Sequence, residues 1–453
     1  MPAAFSAEHL LTSLRHWTPA RRYCVAYSGG VDSHALLHAA WQIAGQLTGP
    51  LAAIHVDHGI HPDSTAWARH CEGVCRSLGV PLTQLQIDAR PRAGASPEAV
   101  ARKLRYVALR KCIDGGEMLL TAHHLDDQAE TLVLQLCRGA GPSGLSAMPA
   151  LRPFGSGWHA RPLLPFSRET LKRYAFAHSL EWIDDSSNVD PRFDRNFLRS
   201  EIMPLLAQRR PGLPAVLARV AAIQAQVAGL IAELAAEDFA RCRAGADAVL
   251  QLECLARLSE ARRVNVIRFW LQRLSLPLPA AVVLGRIQDE VIGARVDATP
   301  RLAWPGAEIR RYRNLLFAGP PLQAHDRRQV MSWRMEDPLR LADGVLTAEA
   351  ATGIGIRRSV CPDGRLEVRF RQGGELLQPA GSAHRRELKH LFQERGVPPW
   401  VRERIPLLYC AGRLTAVADL WIDASCAASD GEDAWRVRWA GAPFTPGCPA
   451  PAD

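Results

Sequence analysis

Residues Tyr23 to Leu37 read YCVAYSGGVDSHALL: an apolar run, a serine–glycine turn, then the start of an apolar helical pattern. Strand, tight turn and helix in that order force a β-α unit. Gly29 and Gly30 carry no Cβ, so the backbone can turn sharply and approach a ligand closely. The turn opens onto a helix N-terminus, where unpaired N–H groups and the positive end of the dipole favour an anion. Ser28 and Ser33 add hydroxyls, and Asp32 can either cap the helix or hold a cation that neutralises phosphate. Ser28, Gly29, Gly30, Val31, Asp32 and Ser33 are therefore candidate phosphate-binding residues. The Gly-Lys-Ser/Thr ending of the ATPase P-loop is absent, and so is the third glycine of the dinucleotide fingerprint.

Three more apolar segments follow at Leu51–Asp57, Leu82–Ile87 and Met118–Ala122, separated by stretches of helical pattern such as Ser64–Leu78. Strands about thirty residues apart with helical connectors predict a parallel, Rossmann-like sheet covered on both faces. In such sheets ligands bind beyond the carboxyl ends of the strands. The second strand ends in His55-Val56-Asp57-His58-Gly59, which can meet a ribose or base or can simply satisfy a turn. Arg102, Arg105 and Tyr106 share one turn of the next predicted helix, where an arginine can reach phosphate.

The fourth strand runs into Thr121-Ala122-His123-His124-Leu125-Asp126-Asp127-Gln128-Ala129-Glu130-Thr131. On a helix, His123, Asp126 or Asp127, and Glu130 share a face. Carboxylates there can hold magnesium between protein and triphosphate, or complement the helix dipole. A glycine-rich loop covers Arg138 to Met148. Beyond Asp184 and Asp185, residues Arg192, Arg195 and Arg199 fall at helical spacing beside Asn196. They suit a phosphate-backbone clamp, and they equally suit ion pairs with Asp184, Asp185 or Asp190.

Pro204 and Arg209-Arg210-Pro211-Gly212 mark a first boundary, after which Ala215 to Leu284 reads as helical. Irregular, proline-rich sequence from Ala318 to Pro338 marks a second. The last module begins near Val360 and carries a basic helical stretch with Arg385, Arg386, Lys389, Phe392 and Trp400, fit either to grip nucleic acid or to pack as an amphipathic core helix. The expected division is 1–205, 206–325 and 355–445: an α/β parallel-sheet domain, a helical middle domain and a small α+β C-terminal domain.

Composition narrows the partners. In 453 residues the formal charge is +9, which favours a polyanion. Only four of the 55 basic residues are lysines, so the basic character is carried by arginine. The eleven cysteines include no Cys-x-x-Cys, so neither a zinc site nor an iron–sulfur cluster is indicated, and Cys71 and Cys75 read as buried free thiols. No run approaches the ~18 consecutive apolar residues of a membrane span. Glu8, Arg15, Arg21 and Arg22 interrupt any signal-peptide pattern, so a cytoplasmic protein is expected.

SGGVDS at 28–33 resembles the pyrophosphate loop of the ATP-pyrophosphatase, or PP-loop, superfamily. The ordered series HVDHG at 55–59, AR..RY at 101–106, TAHHLDDQAET at 121–131, RGAGPSGLSAM at 138–148, RPLLP at 161–165, DDSSN...DRNFLR at 184–199 and RFRQGGE...LKHLFQERGVPPWVRERIPLLY at 369–409 resembles the bacterial tRNA(Ile)-lysidine synthetases over nearly the whole chain. That resemblance implies an ATP-dependent ligase. It would adenylate the 2-carbonyl oxygen of the wobble cytidine in the CAU anticodon of tRNA(Ile), and free L-lysine would then displace AMP. It implies Asp32, Asp126 and Asp127 as catalytic carboxylates, with Asp32 and Asp127 on Mg2+, and one of these or His123 taking the amine's proton. Ser28–Ser33, His55, Val56, Asp57 and Arg102 would hold ATP. Arg192, Arg195, Asn196, Arg199, Arg385, Arg386 and Lys389 would contact tRNA. After RQGGE the chain departs from the family's longer basic/glycine string, reading LLQPAGS at 376–382. Rival readings are a tRNA cytidine thiolase, which needs cluster cysteines, and a non-catalytic tRNA-binding protein. Monomer and homodimer both stay open.

Overall fold

The computed structural model describes residues 4–57, 59, 63–88, 97–184, 192–245, 248–295 and 297–440. They fall into two units, Met1–Leu230 and Ile231–Asp453, described separately below.

The first unit begins with α1 (Ala7–Arg15), capped by Ser6, whose hydroxyl accepts from His9 N–H. Then come β1 (Arg22–Ala26), α2 (Val31–Gln42), β2 (Leu51–Asp57), α3 (Ser64–Ser77), β3 (Leu82–Gln86), α4 (Pro97–Lys111), β4 (Glu117–Leu120), α5 (Leu125–Cys137), α6 (Pro142–Leu145), β5 (Leu151–Phe154), β6 (Gly157–Ala160) and α7 (Arg168–Ala177). The six strands form one sheet of order β3-β2-β1-β4-β6-β5. All neighbours are parallel except β5, which returns antiparallel on β6. The chain moves outward from β1 to β3 and then restarts on the other side of β1 at β4. That reversal opens a crevice between the carboxyl ends of β1 and β4. All four apolar segments singled out in the sequence are strands of this sheet.

Both sheet faces are buried, which is why β1 and β4 read as continuous apolar runs. One face packs Val25, Leu120, Leu36, Leu37 and Leu171 into a single core, and the other packs Cys24, Leu119, Leu109 and Phe154. Ala35, Ala39 and Ala40 of α2 are fully buried, small side chains that bring the helix close to the sheet. Cys71 and Cys75 are the buried free thiols expected, and desolvation raises their pKa to about 12 and about 11, respectively. After the sheet, α8 (Asp194–Phe197), a wider π-type turn at Leu198–Ile202 and α9 (Met203–Arg209) lead into α10 (Leu213–Cys242). Leu198 and Met203 pack on Ala129 of α5, which seats this segment beside the crevice.

In the second unit the middle segment departs from its helical reading. Besides α11 (Leu252–Ala256), α12 (Glu260–Arg273) and α13 (Ala281–Arg286), it contains β7 (Val249–Gln251), β8 (Arg301–Trp304), β9 (Ala307–Tyr312) and β10 (Leu315–Gly319), an antiparallel sheet of order β7-β10-β9-β8. The hairpin signals are Pro305-Gly306 and Arg313-Asn314 between alternating strands. Trp270, Val266 and Ile267 of α12 share a core with Leu302, Ile309 and Leu316 of this sheet. Cys242 and Cys254 form a disulfide that their spacing does not signal.

The C-terminal fold starts earlier than Val360. β11 (Met331–Arg334), β12 (Leu339–Leu341) and β13 (Gly344–Thr352) precede β14 (Ile356–Arg357), β15 (Arg365–Arg369), β16 (Leu376–Leu377), β17 (Arg386–Glu387), α14 (Leu388–Glu394), α15 (Pro399–Arg402), β18 (Leu407–Cys410), β19 (Arg413–Val417), β20 (Trp421–Ile422) and β21 (Asp433–Ala440). β11 pairs with β15, and β13 pairs with β21 from Val345 to Thr352. Both upstream strands are thus part of these sheets. Phe392 is fully buried and Trp400 packs at the core's edge, so the apolar side of the basic helical stretch is a core face.

Among the described residues one helix, α10, is long and apolar enough by length and composition to cross a membrane, with a mean hydropathy of 1.7. Two glutamines and Arg219 interrupt it, which is why the sequence shows no continuous apolar run.

Candidate active site

Gly29 takes φ +84°, in the left-handed region, and Gly30 is the N-cap of α2. A Cβ on Gly29 would stand 2.9 Å from Ile183 Cδ1 and 3.2 Å from Cys71 Sγ. The Ile183 N–H donates to Gly29 O at 3.0 Å, so the segment after α7 packs against the turn. Ser33, buried, draws the loop inward: its Oγ donates to Gly30 O at 2.9 Å, accepts from Ser28 N–H at 3.2 Å and lies 3.0 Å from Ser28 Oγ. Val31 is buried at the first turn of α2. The result is a constrained loop at a helix N-terminus, facing the crevice.

α5 forms the opposite wall. It starts at Leu125, not at His123, because His124 is its N-cap: His124 Nδ1 accepts from Asp127 N–H at 3.4 Å, and Asp127 Oδ2 accepts from His124 N–H at 3.0 Å. His124 is almost completely buried and lies among three carboxylates. Its Nε2 is 3.4 Å from Asp127 Oδ2 and 3.7 Å from Asp32 Oδ2, and its Nδ1 is 3.4 Å from Asp126 Oδ2. Burial opposes the imidazolium, yet Asp127, Asp126 and Asp32 together raise the His124 pKa above its ordinary value. The helical spacing in the sequence points to His123 for this place. His123 instead bonds Thr121 Oγ1 at 2.8 Å, and Thr121 Oγ1 bonds His159 Nε2 at 2.9 Å. Desolvation, helped by Arg161, Arg102 and Arg195, pushes the His123 pKa well down despite Asp127. The capping-box rule alone does not separate the two histidines, since His123 stands three before Asp126 and His124 three before Asp127.

The three carboxylates differ. Burial raises the Asp32 pKa, only partly offset by His124 and Arg168, and Asp32 Oδ1 is buried without a hydrogen-bond partner. Asp126 accepts from Arg168 N–H at 2.8 Å, and its pKa is lowered: burial opposes this, but the His124 and Arg168 hydrogen bonds prevail. Asp127 accepts from Arg195 Nη2 at 2.9 Å and Arg199 Nη2 at 2.7 Å; His124 and these guanidinia overcome burial and hold it far below the usual carboxylate range. An orphaned carboxylate oxygen within a phosphate loop suits a hard cation such as magnesium, which uses one or two protein carboxylates plus phosphate and water. Among the described residues no group of three His, Cys, Asp or Glu side chains is arranged to hold a metal ion.

Arg195 and Arg199 find partners that the sequence reading does not name; Asp185 and Asp190 lie outside the described residues. Besides Asp127 they bind Glu130, which is 3% exposed: Arg195 Nε donates at 3.0 Å, and Arg199 Nε and Nη2 at 2.7 and 2.8 Å. Both guanidinia thus face the carboxylates of α5. Arg192 lies before α8 and so does not share its helical face; it is exposed, while Asn196 is half-buried within α8.

The remaining candidates line the sheet edge. His55 Nδ1 bonds Tyr27 O at 2.9 Å, tying the end of β2 to the residue before the loop, while Asp57 Oδ1 accepts from Gly59 N–H at 2.8 Å. Val56, between them, is half-buried at the end of β2; His58 lies outside the described residues. The Arg102 guanidinium lies over the Tyr106 ring, 5.3 Å from its centroid. The glycine-rich loop is pinned to α5 by Gln128, whose side chain exchanges two hydrogen bonds with Met148 backbone at 2.7 and 2.9 Å. In the second unit, Arg385 and Lys389 are exposed, whereas Arg386 pairs with Glu394 beside Arg395 and Trp421 in a groove of about 400 Å³.

Comparison with known proteins assigns each part. A family model of the PP-loop domain matches residues 4–206, one described as the TilS substrate binding domain matches 250–317, and one described as the TilS substrate C-terminal domain matches 366–439. The tRNA(Ile)-lysidine synthase of Methylococcus capsulatus is 45% identical over 401 residues, 88% of this chain and 91% of its own length. Those of Coxiella burnetii and Alkalilimnicola ehrlichii are 39% and 42% identical, covering 96% and 92% of this chain and 96% and 93% of their own. With its pyrophosphate loop facing a carboxylate-ringed histidine across the β1–β4 crevice, the chain belongs to the tRNA(Ile)-lysidine synthase family.

Proposed function

We propose that this chain ligates the ε-amine of free L-lysine to carbon 2 of the wobble cytidine in the CAU anticodon of tRNA(Ile), using ATP. The observation that carries the reading is the anion-binding turn Ser28–Ser33 set directly across the crevice from Asp126 and Asp127, in a chain similar to the lysidine synthases over most of its length. The 2-carbonyl oxygen of cytidine attacks the α-phosphorus of ATP and pyrophosphate leaves. The lysine amine then attacks carbon 2, the bond to the adenylated oxygen breaks, and AMP departs. An oxygen bonded to carbon 2 is a poor leaving group, and adenylation converts it into a good one.

The loop N–H groups and the Ser28 and Ser33 hydroxyls would hold the departing pyrophosphate. Asp32, with its unpartnered Oδ1, and Asp127 would hold Mg2+, which when bound supplies positive charge to the phosphates. Asp126, whose side chain is the most exposed of the three carboxylates at 34%, would receive the incoming amine and take its proton. His124, set among Asp32, Asp126 and Asp127 and capping α5, would instead hold the three carboxylates in register. His55, Val56 and Asp57 would border adenosine, and Arg102 would add positive charge near the phosphates. Residues 1–205 would carry the chemistry, with 206–325 and 355–445 selecting tRNA, the latter through exposed Arg385 and Lys389 and through Arg386. Arg192 and Asn196 stay assigned to tRNA, whereas Arg195 and Arg199 would organise Asp127 and Glu130. A cytoplasmic location, where ATP, lysine and tRNA meet, belongs to the same reading.

The test is incorporation of radiolabelled lysine into a tRNA(Ile) transcript with a CAU anticodon. Incorporation should require ATP and fall away when the wobble base is changed. Folded protein that binds ATP yet attaches no lysine would overturn the proposal.

A further inference from the structure

Cys242 closes the last turn of α10, Cys254 lies in α11, and a disulfide joins them across 12 residues. Eight other cysteines are free, including Cys71 and Cys75, one turn apart on α3. The bond is therefore selective, and the surrounding fold says why. Cys242 is fully buried in a core with Phe239, Leu250, Leu252 and Leu255, and Cys254 packs against that same core. Ala244 N–H donates to Val249 O at 3.0 Å and Arg243 bridges to Leu250, so the chain leaving α10 is bonded to β7. Leu252 N–H donates to Asn314 O at 2.9 Å and Glu253 N–H to Asn314 Oδ1 at 3.1 Å, which fastens the start of α11 to the β9–β10 turn. These contacts hold both cysteines in place without the bond. Opening it leaves two thiols side by side, able to close again.

The two sulfurs differ in access. Cys242 is enclosed, whereas Cys254 is half-buried, so a small thiol in solution reaches Cys254 first. A glutathione thiolate attacks the Cys254 sulfur, the S–S bond breaks, and Cys242 leaves as a thiolate that takes up a proton. A second glutathione thiolate then attacks the glutathione sulfur of the mixed disulfide, and Cys254 leaves and is protonated in turn. Two electrons pass from two glutathione thiols to the protein, giving two cysteine thiols and one glutathione disulfide. The reverse reaction uses glutathione disulfide as its oxidant.

We propose that Cys242 and Cys254 form a thiol–disulfide switch that sets how often the β7–α11 edge of this unit opens. β7 is three residues long and stands at the edge of its four-stranded sheet, next to β10. Short edges of this kind open locally before the rest of a fold. With the bond closed, both ends of the segment are tied and an opened edge gains little freedom. With the bond broken, the 12-residue separation no longer restrains the open form, and opening rises about a hundredfold. A permanent staple would be ordinary in a secreted chain; in the cytoplasm, where glutathione keeps thiols reduced, a disulfide is more often a transient, sensing one. The inference thus rests on the cytoplasmic location proposed above, and its bearing on tRNA rests on the role proposed there for residues 206–325.

The test equilibrates the full chain in glutathione buffers running from excess disulfide to excess thiol, caps free thiols with N-ethylmaleimide and weighs the peptides that hold Cys242 and Cys254. The bond should be intact at excess glutathione disulfide, replaced by two capped thiols at excess glutathione, and regained when the buffer is reversed. Hydrogen exchange at the Ala244 and Leu252 amides should run about a hundredfold faster in the reduced chain, and Cys254→Ser should exchange at that faster rate in both buffers. A bond that survives excess glutathione in the folded chain would be a permanent staple and would overturn the proposal. So would single glutathione adducts in place of the bond at excess disulfide, or equal exchange rates in the oxidised and reduced chains. None of these readouts uses ATP, lysine or tRNA, so a chain that fails to incorporate lysine can still pass them, and the two failures stay distinct.

Discussion

Arg199 bridges two carboxylates of α5, with Nη2 2.7 Å from Asp127 Oδ1 and Nε 2.7 Å from Glu130 Oε1. Arg195 repeats the bridge on the same two side chains. Glu130 is thus the shared acceptor that keeps two guanidinia together beside the crevice. Removing it leaves two half-buried positive charges with only Asp127 between them, and Glu130→Ala should destabilise the chain by about 2–3 kcal/mol in urea denaturation. Glu130→Gln, which keeps the shape and one acceptor oxygen, should cost less. Equal stability of all three proteins would refute the account.

The phosphate turn allows a finer contrast. Gly29 has a positive φ and no room for a methyl group, whereas Gly30 sits at φ −76°, where a Cβ would stand 3.7 Å from its nearest neighbour, Ser28 Oγ. Gly29→Ala should lower stability by about 1–3 kcal/mol and abolish ATP binding measured by calorimetry. Gly30→Ala should fold normally, and any loss of ATP affinity it shows would reflect the ligand's own need for space.

His159 makes the catalytic unit acid-labile. It is fully buried, and desolvation together with Arg161, Arg152 and Arg102 lowers its pKa to about 2. Below pH ~6.5 the unfolded chain binds a proton that the folded chain refuses, so stability falls as pH falls, by about 1.4 kcal/mol per pH unit from this group. Between pH 6.5 and 5 the loss should approach about 2 kcal/mol. His159→Gln should lower stability at pH 7.5 through its altered hydrogen bonds yet flatten the acid slope by that amount, as urea midpoints at the two pH values would show. An unchanged slope would mean that His159 is protonated in the folded state.

Much of the fold is legible in sequence because it is local. The strand-turn-helix at Tyr23–Leu37 and the apolar segments of the sheet need only hydrophobic runs and glycine placement. The features that escape a sequence reading depend on partners far along the chain. Arg195 finds Asp127 and Glu130 across 68 and 65 residues, so no spacing rule within 184–199 could choose them. The strands at Met331–Arg334 and Gly344–Thr352 are short or polar and acquire their role only by pairing with residues up to about a hundred positions later. The exchange of His123 for His124 turns on one residue of helix phase, which tertiary packing fixes where Leu125 N–H bonds Phe166 O.

The tRNA contacts can be separated by salt. Arg385 and Lys389 are exposed, so a phosphate contact from either would release counterions, and Arg385→Ala or Lys389→Ala should each reduce the slope of log affinity against log salt by about 1. Arg195 and Arg199 make no such contact while they hold Asp127 and Glu130. Arg195→Ala should therefore leave the salt slope of tRNA binding unchanged and lower kcat for lysine incorporation, by about tenfold or more if Asp127 loses its orientation. Filter binding at several salt concentrations alongside single-turnover incorporation distinguishes the two classes. A flattened slope for Arg195→Ala with intact kcat would return this arginine to the RNA-binding surface and break the link between the α8 segment and the carboxylates of α5.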